Sequence, residues 1–89
     1  MYETQISEKL EKVLGKLQKK DKNRFEATIK KIDEITVKSP DSYKNLRYEL
    51  KGLKRVHIDS HFVLVFKVDE ERKIISFEEL QHHDDIYRR

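Results

Sequence analysis

Apolar residues in the first 35 positions recur with the spacing of two α-helices. The first stripe consists of Leu10, Val13, Leu14 and Leu17, and the second of Phe25, Ile29, Ile32 and Ile35. Spacings of three and four residues place such positions on one helical face. Ser7 and Asp21 are suitable N-caps, because their side-chain oxygens can accept hydrogen bonds from free backbone N–H groups. Only a few residues around Lys20–Lys22 separate the stripes, so the pattern predicts an antiparallel helical hairpin.

After Pro40 the apolar positions alternate with a period of two, which is typical of β-strands. Strands are predicted over residues 54–58, 61–68 and 73–80, with a further short strand over residues 2–6. The connections at 59–60 and 69–72 are so short that consecutive strands must pair antiparallel. The sequence therefore predicts an α+β fold in one small domain spanning residues 1–89. An N-terminal strand leads into an antiparallel helical hairpin, which packs on one face of a small antiparallel sheet whose last three strands form a meander.

The alternation also separates the two faces of the predicted sheet. If Val56 and Leu64 face the helices, then Arg55, His57 and Val63 face away from them. Basic residues border this second face, namely Arg47, Lys51, Lys54 and Arg55. The pattern thus predicts an open, cationic sheet face that carries a histidine.

Composition narrows the class of protein. The 89 residues include no cysteine, which excludes a disulfide framework, a thiolate zinc site and a cysteine nucleophile. No apolar run approaches the roughly 18 residues of a membrane span, and the N-terminus has no apolar signal-peptide core. We therefore expect a soluble cytoplasmic protein. The histidines and carboxylates near the C-terminus match no closed zinc pattern, so no metal and no other cofactor is expected.

Charge is distributed unevenly along the chain. The net charge is +3, but residues 7–31 contain nine basic and four acidic residues, and residues 44–57 contain five basic residues and one acidic residue. Basic stripes attract nucleic acids through counterion release. A lysine-rich helix face is also a common solvated surface, so charge alone leaves both interpretations open.

Four segments resemble the RelE/ParE superfamily of toxins from type II toxin–antitoxin pairs, in particular its RelE and YafQ-like branches. Three of them are Leu50-Lys51-Gly52-Leu53, Arg55-Val56-His57-Ile58 and Phe62-Val63-Leu64-Val65-Phe66-Lys67-Val68. The fourth, His82-His83-Asp84-Asp85-Ile86-Tyr87-Arg88, resembles the terminal His-Arg-x-Asp-x-Tyr-Arg pattern of the family. The order of the predicted elements also matches the family along nearly the whole chain. The resemblance implies an endoribonuclease that cleaves messenger RNA in the ribosomal A site and is silenced by a tight-binding antitoxin.

The chain departs from the family pattern at several positions. Val63 occupies the register in which many RelE-type members carry an arginine, and His83 stands where an arginine often follows the terminal histidine. In the YafQ-like branch a strand histidine aligns with His57 and a C-terminal histidine with His83, while an acid of that branch falls at His61. ParE-like relatives share the fold without the ribonuclease. A non-enzymatic toxin, or a nucleic-acid- or ribosome-binding module, is therefore the alternative.

RNA can be cleaved without a cofactor when the 2′-hydroxyl attacks its own phosphorus. The reaction needs a base, an acid and cations around the phosphoryl group, and imidazole suits proton transfer because its ordinary pKa is about 6.5. Together with the resemblance, this chemistry predicts His57 and His83 as the acid–base pair, in unassigned order. The other candidates are Arg55 and Lys54 for the phosphate, Tyr87 for stacking on a base or orienting a histidine, and Arg47, Lys51, His82 and Arg88 for binding the substrate.

A small basic domain with an open sheet face suits an acidic, partly disordered partner that adds a helix or a strand. The resemblance implies that this partner is a RelB-like antitoxin. It also implies the ribosome and mRNA as partners, and no membrane is expected. The lysines of the two helices are then expected to contact ribosomal RNA.

Overall fold

The computed structural model describes residues 2–38 and 53–82, which contain two helices and four strands. These are β1 (Glu3–Ile6), α1 (Glu8–Lys20), α2 (Lys22–Val37), β2 (Leu53–His57), β3 (Phe62–Asp69) and β4 (Ile74–His82). The predicted α+β fold is confirmed, and each strand end differs from its expected position by at most two residues. No helix in the described ranges is long and apolar enough to cross a membrane.

A single residue, Asp21, joins the two helices. Its backbone N–H donates to the carbonyl oxygen of Leu17 at 2.8 Å, which closes α1. Its Oδ1 accepts a hydrogen bond from the backbone N–H of Arg24 at 3.1 Å, which caps α2. The predicted hairpin is therefore confirmed, with a link of one residue.

The sheet has the strand order β1-β4-β3-β2. The pairs β2–β3 and β3–β4 are antiparallel, as the short turns predict, whereas β1 pairs parallel with β4. The sheet is therefore mixed rather than wholly antiparallel. Because the two helices separate β1 from the meander, the chain has room to return in the parallel direction.

The hydrophobic core lies between the helices and one face of the sheet. Its buried members are Leu10, Leu14, Ile32, Ile35, Leu64, Phe66, Ile75, Phe77 and Leu80. The rings of Phe66 and Phe77 pack with their centroids 5.7 Å apart. Each fully buried side chain of this size contributes about 1.5–3 kcal/mol by leaving water, so this contact fixes β3 and β4 beneath the helices.

A β-bulge changes the alternation of β4. The register slips between Val65 and Phe66, and Glu78 is the extra residue. Phe77 and Leu80 are three positions apart, so a regular strand would direct them to opposite faces. The bulge allows both to enter the core.

Ser7 connects the start of α1 to this bulge. Its hydroxyl accepts a hydrogen bond from the N–H of Leu10 at 3.0 Å, which confirms it as the N-cap. The same hydroxyl donates to the carbonyl oxygen of Glu78 at 2.6 Å, and the Ser7 N–H donates to that of Phe77 at 2.9 Å. The start of α1 therefore fixes the register of β4 at the bulge, where the alternation of its side chains shifts by one residue.

Candidate active site

The sheet face that points away from the helices carries most of the residues that can perform chemistry. We call it the open face. Cross-strand partners share a face, and the pairing arranges the open face in three rows: His57–Val63–Gln81, Arg55–Val65–Glu79 and Leu53–Lys67–Ser76–Gln5. The predicted separation of Arg55, His57 and Val63 from the helix-facing residues is confirmed.

His57 and Arg55 lie on the open face of β2, two residues apart. At the rise of a β-strand, their Cα atoms are separated by about 6.7 Å. His57 ends the strand and is exposed, while Arg55 is half-buried. An imidazole can transfer a proton and a guanidinium can bind a phosphate bidentately. The two residues therefore bring both functions to one edge of the sheet.

Valines form the middle of the open face. Val63 is 0% exposed and Val65 is 2% exposed, although neither belongs to the core cluster beneath the helices. Val63 separates His57 from Gln81 within its row. The position at which many RelE-type members have an arginine is thus apolar and shielded from solvent, so the predicted open face is not exposed at its centre. The cation nearest to this position on β2 is Arg55.

Lys54 lies on the other face of the sheet from Arg55. Its Cα partner is Phe66, a fully buried core residue, and consecutive residues of a strand point to opposite faces. The expectation that Lys54 and Arg55 bind one phosphate together therefore does not fit the pairing of β2. Arg55 remains as the phosphate ligand that β2 directs toward the open face.

His82 also lies on the helix-facing side. Its Cα partner is Phe62, and the two rings meet edge to face with centroids 5.4 Å apart. The ring of His61 stacks on that of His82 at 5.9 Å and an interplanar angle of 15°. The structure therefore places His82, a predicted substrate-binding residue, on the side of the sheet opposite to His57.

The turn between β2 and β3 is held by Asp59. Its Oδ1 accepts hydrogen bonds from the N–H groups of His61 at 2.8 Å and Phe62 at 2.9 Å, and its Oδ2 accepts one from Nε of Arg24 at 2.9 Å. Burial raises the pKa of the Asp59 carboxyl, but these hydrogen bonds and the charge of Arg24 outweigh burial and bring the pKa below its ordinary value. An ionised Asp59 therefore fixes the turn that follows His57.

The remaining predicted site residues lie outside the described residues. They are Arg47, Lys51, His83, Tyr87 and Arg88. Their roles stay predictions, and the structure places Arg55 and His57 from the predicted catalytic set. Within residues 2–38 and 53–82, no group of three or more histidine and carboxylate side chains is arranged to hold a metal ion.

Sequence reasoning missed two polar residues of β4 on the open face. Gln81 lies in the row of His57, and Glu79 lies in the row of Arg55. The carboxylate of Glu79 forms an ion pair with Lys9 of α1. The predicted strand ended at residue 80 and alternated regularly, so neither residue was assigned to a face. The odd spacing of the two apolar residues that flank the bulge is the signal that could have found them.

Comparison with known proteins identifies the family. No family model matches the chain. A Methanocaldococcus jannaschii protein named "Putative toxin RelE4" is 52% identical over 89 residues, which covers 100% of this chain and 94% of that protein.

Solved structures of toxins are also similar to this chain in fold. The YoeB/ParE toxin from Agrobacterium tumefaciens matches with a TM-score of 0.78 and 14% identity, over 93% of this chain and 99% of that chain. The RelBE2 toxin–antitoxin complex from Mycobacterium tuberculosis matches with a TM-score of 0.75 and 18% identity, over 92% of this chain and 98% of that chain. These TM-scores establish the fold alone. The 52% identity to the archaeal relative, over the whole chain, establishes the family. This protein therefore belongs to the RelE family, within the RelE/ParE superfamily of toxins.

Proposed function

We propose that this protein is the toxin of a type II toxin–antitoxin pair and a ribosome-dependent endoribonuclease that cleaves mRNA in the A site. The observation that carries the proposal is the location of His57 and Arg55 on one open sheet face, at the end of the same strand. Membership of the RelE family supports it, because toxins of this kind are typically endoribonucleases.

In the proposed reaction one imidazole removes the proton from a 2′-hydroxyl, whose oxygen attacks the adjacent phosphorus. The bond from phosphorus to the 5′-oxygen breaks, and that oxygen takes a proton from a second acid. The products are a 2′,3′-cyclic phosphate and a 5′-hydroxyl. His57 performs one proton transfer and His83 the other, while Arg55 binds the nonbridging oxygens as their charge develops. This scheme uses no metal.

The remaining substrate contacts follow the sequence analysis. Arg47, Lys51 and Arg88 hold the RNA backbone, and Tyr87 stacks on a base or orients a histidine. The lysines proposed to contact ribosomal RNA are Lys9, Lys12, Lys16, Lys19, Lys20, Lys30 and Lys31. Of these, Lys9, Lys12, Lys16, Lys19 and Lys20 lie exposed on α1, where Lys9 forms the ion pair with Glu79.

The proposed partner is an acidic antitoxin that silences the toxin by covering the open face or by displacing the C-terminal segment. The toxin–antitoxin assembly of the structural neighbour RelBE2 supports this proposal. An antitoxin complex that left His57, Arg55 and the C-terminal segment uncovered would contradict it.

Primer extension on a defined message tests the activity. Ribosomes paused at a known codon are treated with the wild type, His57→Ala, His83→Ala and a control, His61→Ala. The control removes an imidazole from the turn beside His57, where it stacks on His82 on the helix-facing side. We expect A-site cleavage only with ribosomes, a loss of about 100-fold or more in His57→Ala and His83→Ala, and retention of the wild-type rate in His61→Ala.

Three further results would separate an error in the proposed site from an error in the proposed activity. A single 2′-deoxy nucleotide at the scissile position abolishes cleavage if the 2′-oxygen is the nucleophile. Cleavage that persists in both histidine variants would preserve the enzyme and overturn the proposed pair. The absence of cleavage by a well-folded wild type would overturn the ribonuclease itself.

One observation favours a second candidate, a non-enzymatic toxin of the ParE type that inhibits a topoisomerase. Val63 is buried where many RelE-type members have a cation that steadies the charged transition state. Inhibition of DNA supercoiling by the wild type, without cleavage of ribosome-bound mRNA, would establish this candidate.

A further inference from the structure

A polar pocket lies on the open face at the end of the sheet farther from His57. It has a volume of about 220 Å³ and is lined by Gln5, Lys67, Asp69, Arg72, Ile74 and Ser76. Gln5, Ser76 and Lys67 are neighbours in one row across β1, β4 and β3. The three strands therefore direct an amide, a hydroxyl and an ammonium group toward one shallow depression, which we call the row-end pocket.

The row-end pocket contains both hydrogen-bond donors and acceptors. The Gln5 amide provides both, the Ser76 hydroxyl can do either, and the Asp69 carboxylate accepts. The ion pair between Arg72 and Asp69 is long, with 3.9 Å between the guanidinium Nε and the carboxylate oxygen Oδ2. The backbone N–H of Arg72 donates a hydrogen bond to Asp69 Oδ1 at 3.0 Å. Such a mixed set fits the polar edge of a planar ring better than it fits a bare anion, which an acidic lining residue would repel.

Lys67 adds an available cation beside this hydrogen-bonding set. Its side chain is exposed, and it forms no ion pair with any residue in the described ranges. An exposed ammonium beside a ring-binding pocket is suited to the phosphate of the same nucleotide or of the next one.

The pocket lies within reach of a strand bound at His57. Lys67 is four residues along β3 from Val63, the partner of His57, which corresponds to about 13 Å of strand. The stacked spacing of about 3.4 Å per nucleotide is a lower limit for an unstacked strand, so single-stranded RNA crosses this distance in at most about four nucleotides. Single strands are recognised through the hydrogen-bonding edges of unstacked bases, which are the groups that Gln5 and Ser76 can contact.

We propose that the row-end pocket is a base-recognition subsite for the single-stranded RNA that the open face binds. Gln5 and Ser76 contact the edge of one base, and Lys67 contacts the backbone. This inference rests on the proposed ribonuclease function and deepens it, because it locates a determinant of sequence preference away from the reacting phosphate.

Nuclear magnetic resonance titration of the 15N-labelled full chain is the first test. The probes are homopolymeric 2′-O-methyl octamers of A, C and U, which lack the free 2′-hydroxyl and cannot be cleaved by the proposed reaction. We expect amide shifts in two separate places, at Arg55 and His57 and at Gln5, Lys67 and Ser76. We also expect the affinities of the three octamers to differ.

Three variants separate base recognition from backbone binding. Gln5→Ala should reduce the preferred octamer's affinity by about 5-fold or more and bring the three affinities together. Lys67→Gln should weaken all three octamers equally and reduce the salt dependence of binding by about 0.7 in the log–log slope. Lys22→Gln is the control, because it removes the same charge from an exposed site at the start of α2.

The outcomes distinguish this inference from the proposed function. Shifts at Arg55 and His57 without shifts in the row-end pocket would overturn the subsite and leave the ribonuclease intact. An equal loss of affinity in Lys22→Gln and Lys67→Gln, or unchanged base preference in Gln5→Ala, would also overturn it. The absence of shifts in both places would overturn the open face as an RNA surface, and with it the subsite.

Discussion

The guanidinium of Arg24 and the carboxylate of Asp59 meet at 2.9 Å, which joins the first turn of α2 to the turn between β2 and β3. The same guanidinium donates to Oδ2 of Asp21 at 2.9 Å and lies 4.1 Å from the centre of the Phe62 ring. One arginine thus connects the helix cap to the turn that follows His57. The orientation of the proposed catalytic strand end therefore depends on a contact made by the helical hairpin.

Removing this connection should destabilise the protein. We expect Arg24→Ala to lower the free energy of unfolding by about 1–2 kcal/mol, because it leaves the Asp59 carboxylate without its charged donor. Urea denaturation measures the change. Lys38→Ala is the control, because it breaks an exposed ion pair with Glu34 and should cost less than about 1 kcal/mol. Equal losses in the two variants would show that the Arg24 contact contributes no more than a surface pair.

The same carboxylate predicts a pH dependence. Because the folded protein holds the pKa of Asp59 below its ordinary value of 3.8, the charged form stabilises the fold. This stabilisation is present above the ordinary pKa and is lost as the pH falls through the folded pKa. Asp59→Asn should therefore be less stable than the wild type at pH 7, and the difference should shrink below a pH of about 4. A difference that stays constant down to pH 3 would contradict this.

Adjacent cations of β2 should differ in their effect on catalysis. Arg55 lies on the open face and Lys54 on the helix-facing side. Arg55→Gln and Lys54→Gln remove the same charge, so the pair compares position alone. We expect Arg55→Gln to reduce mRNA cleavage by about 100-fold through loss of phosphate stabilisation. Lys54→Gln should retain most of the wild-type rate. Primer extension on paused ribosomes measures both, and equal losses would indicate that charge rather than position is what matters.

His57, the last residue of β2, and His82, the last residue of β4, should also differ in their effect on catalysis. His82 packs against Phe62 and His61 on the helix side, so His82→Ala should lower stability by about 1 kcal/mol and preserve cleavage. Loss of cleavage at unchanged stability would instead assign His82 to the reaction. We expect the opposite for His57→Ala, which should lose cleavage. Its stability should change little, because His57 is exposed.

Sequence reasoning succeeded where the determining interactions are local. The cap residues Ser7 and Asp21 and the two apolar stripes specify the hairpin within a few residues, and the short turns specify the antiparallel meander. The parallel pairing of β1 with β4 could not be predicted in this way. It depends on backbone hydrogen bonds between segments far apart in the chain, which the alternation of side chains does not encode.

In the candidate site, too, local patterns were predictable and long-range strand pairing was not. Alternation alone correctly placed Arg55 and His57 on the open face, and the pairing of Lys54 with Phe66 corrects its expected role. His82 is the informative case. A regular strand would direct it to the face opposite Phe77, which is the open face, and the bulge at Glu78 moves it to the helix side. A single extra residue thus decides which face of the sheet His82 occupies.

Gly15 provides a prediction in which stability should rise. It lies in the middle of α1, and a Cβ atom added there would meet nothing within 4 Å. Glycine is less favourable than alanine in a helix interior by about 1 kcal/mol, because it loses more backbone freedom on folding. Gly15→Ala should therefore raise the free energy of unfolding by up to that amount. Ala27→Gly, at an exposed position within α2, is the reciprocal control and should lower it by a similar amount. If Gly15→Ala destabilised the protein while Ala27→Gly behaved as expected, then the surface of α1 around Gly15 would be in contact with something that an added methyl group displaces.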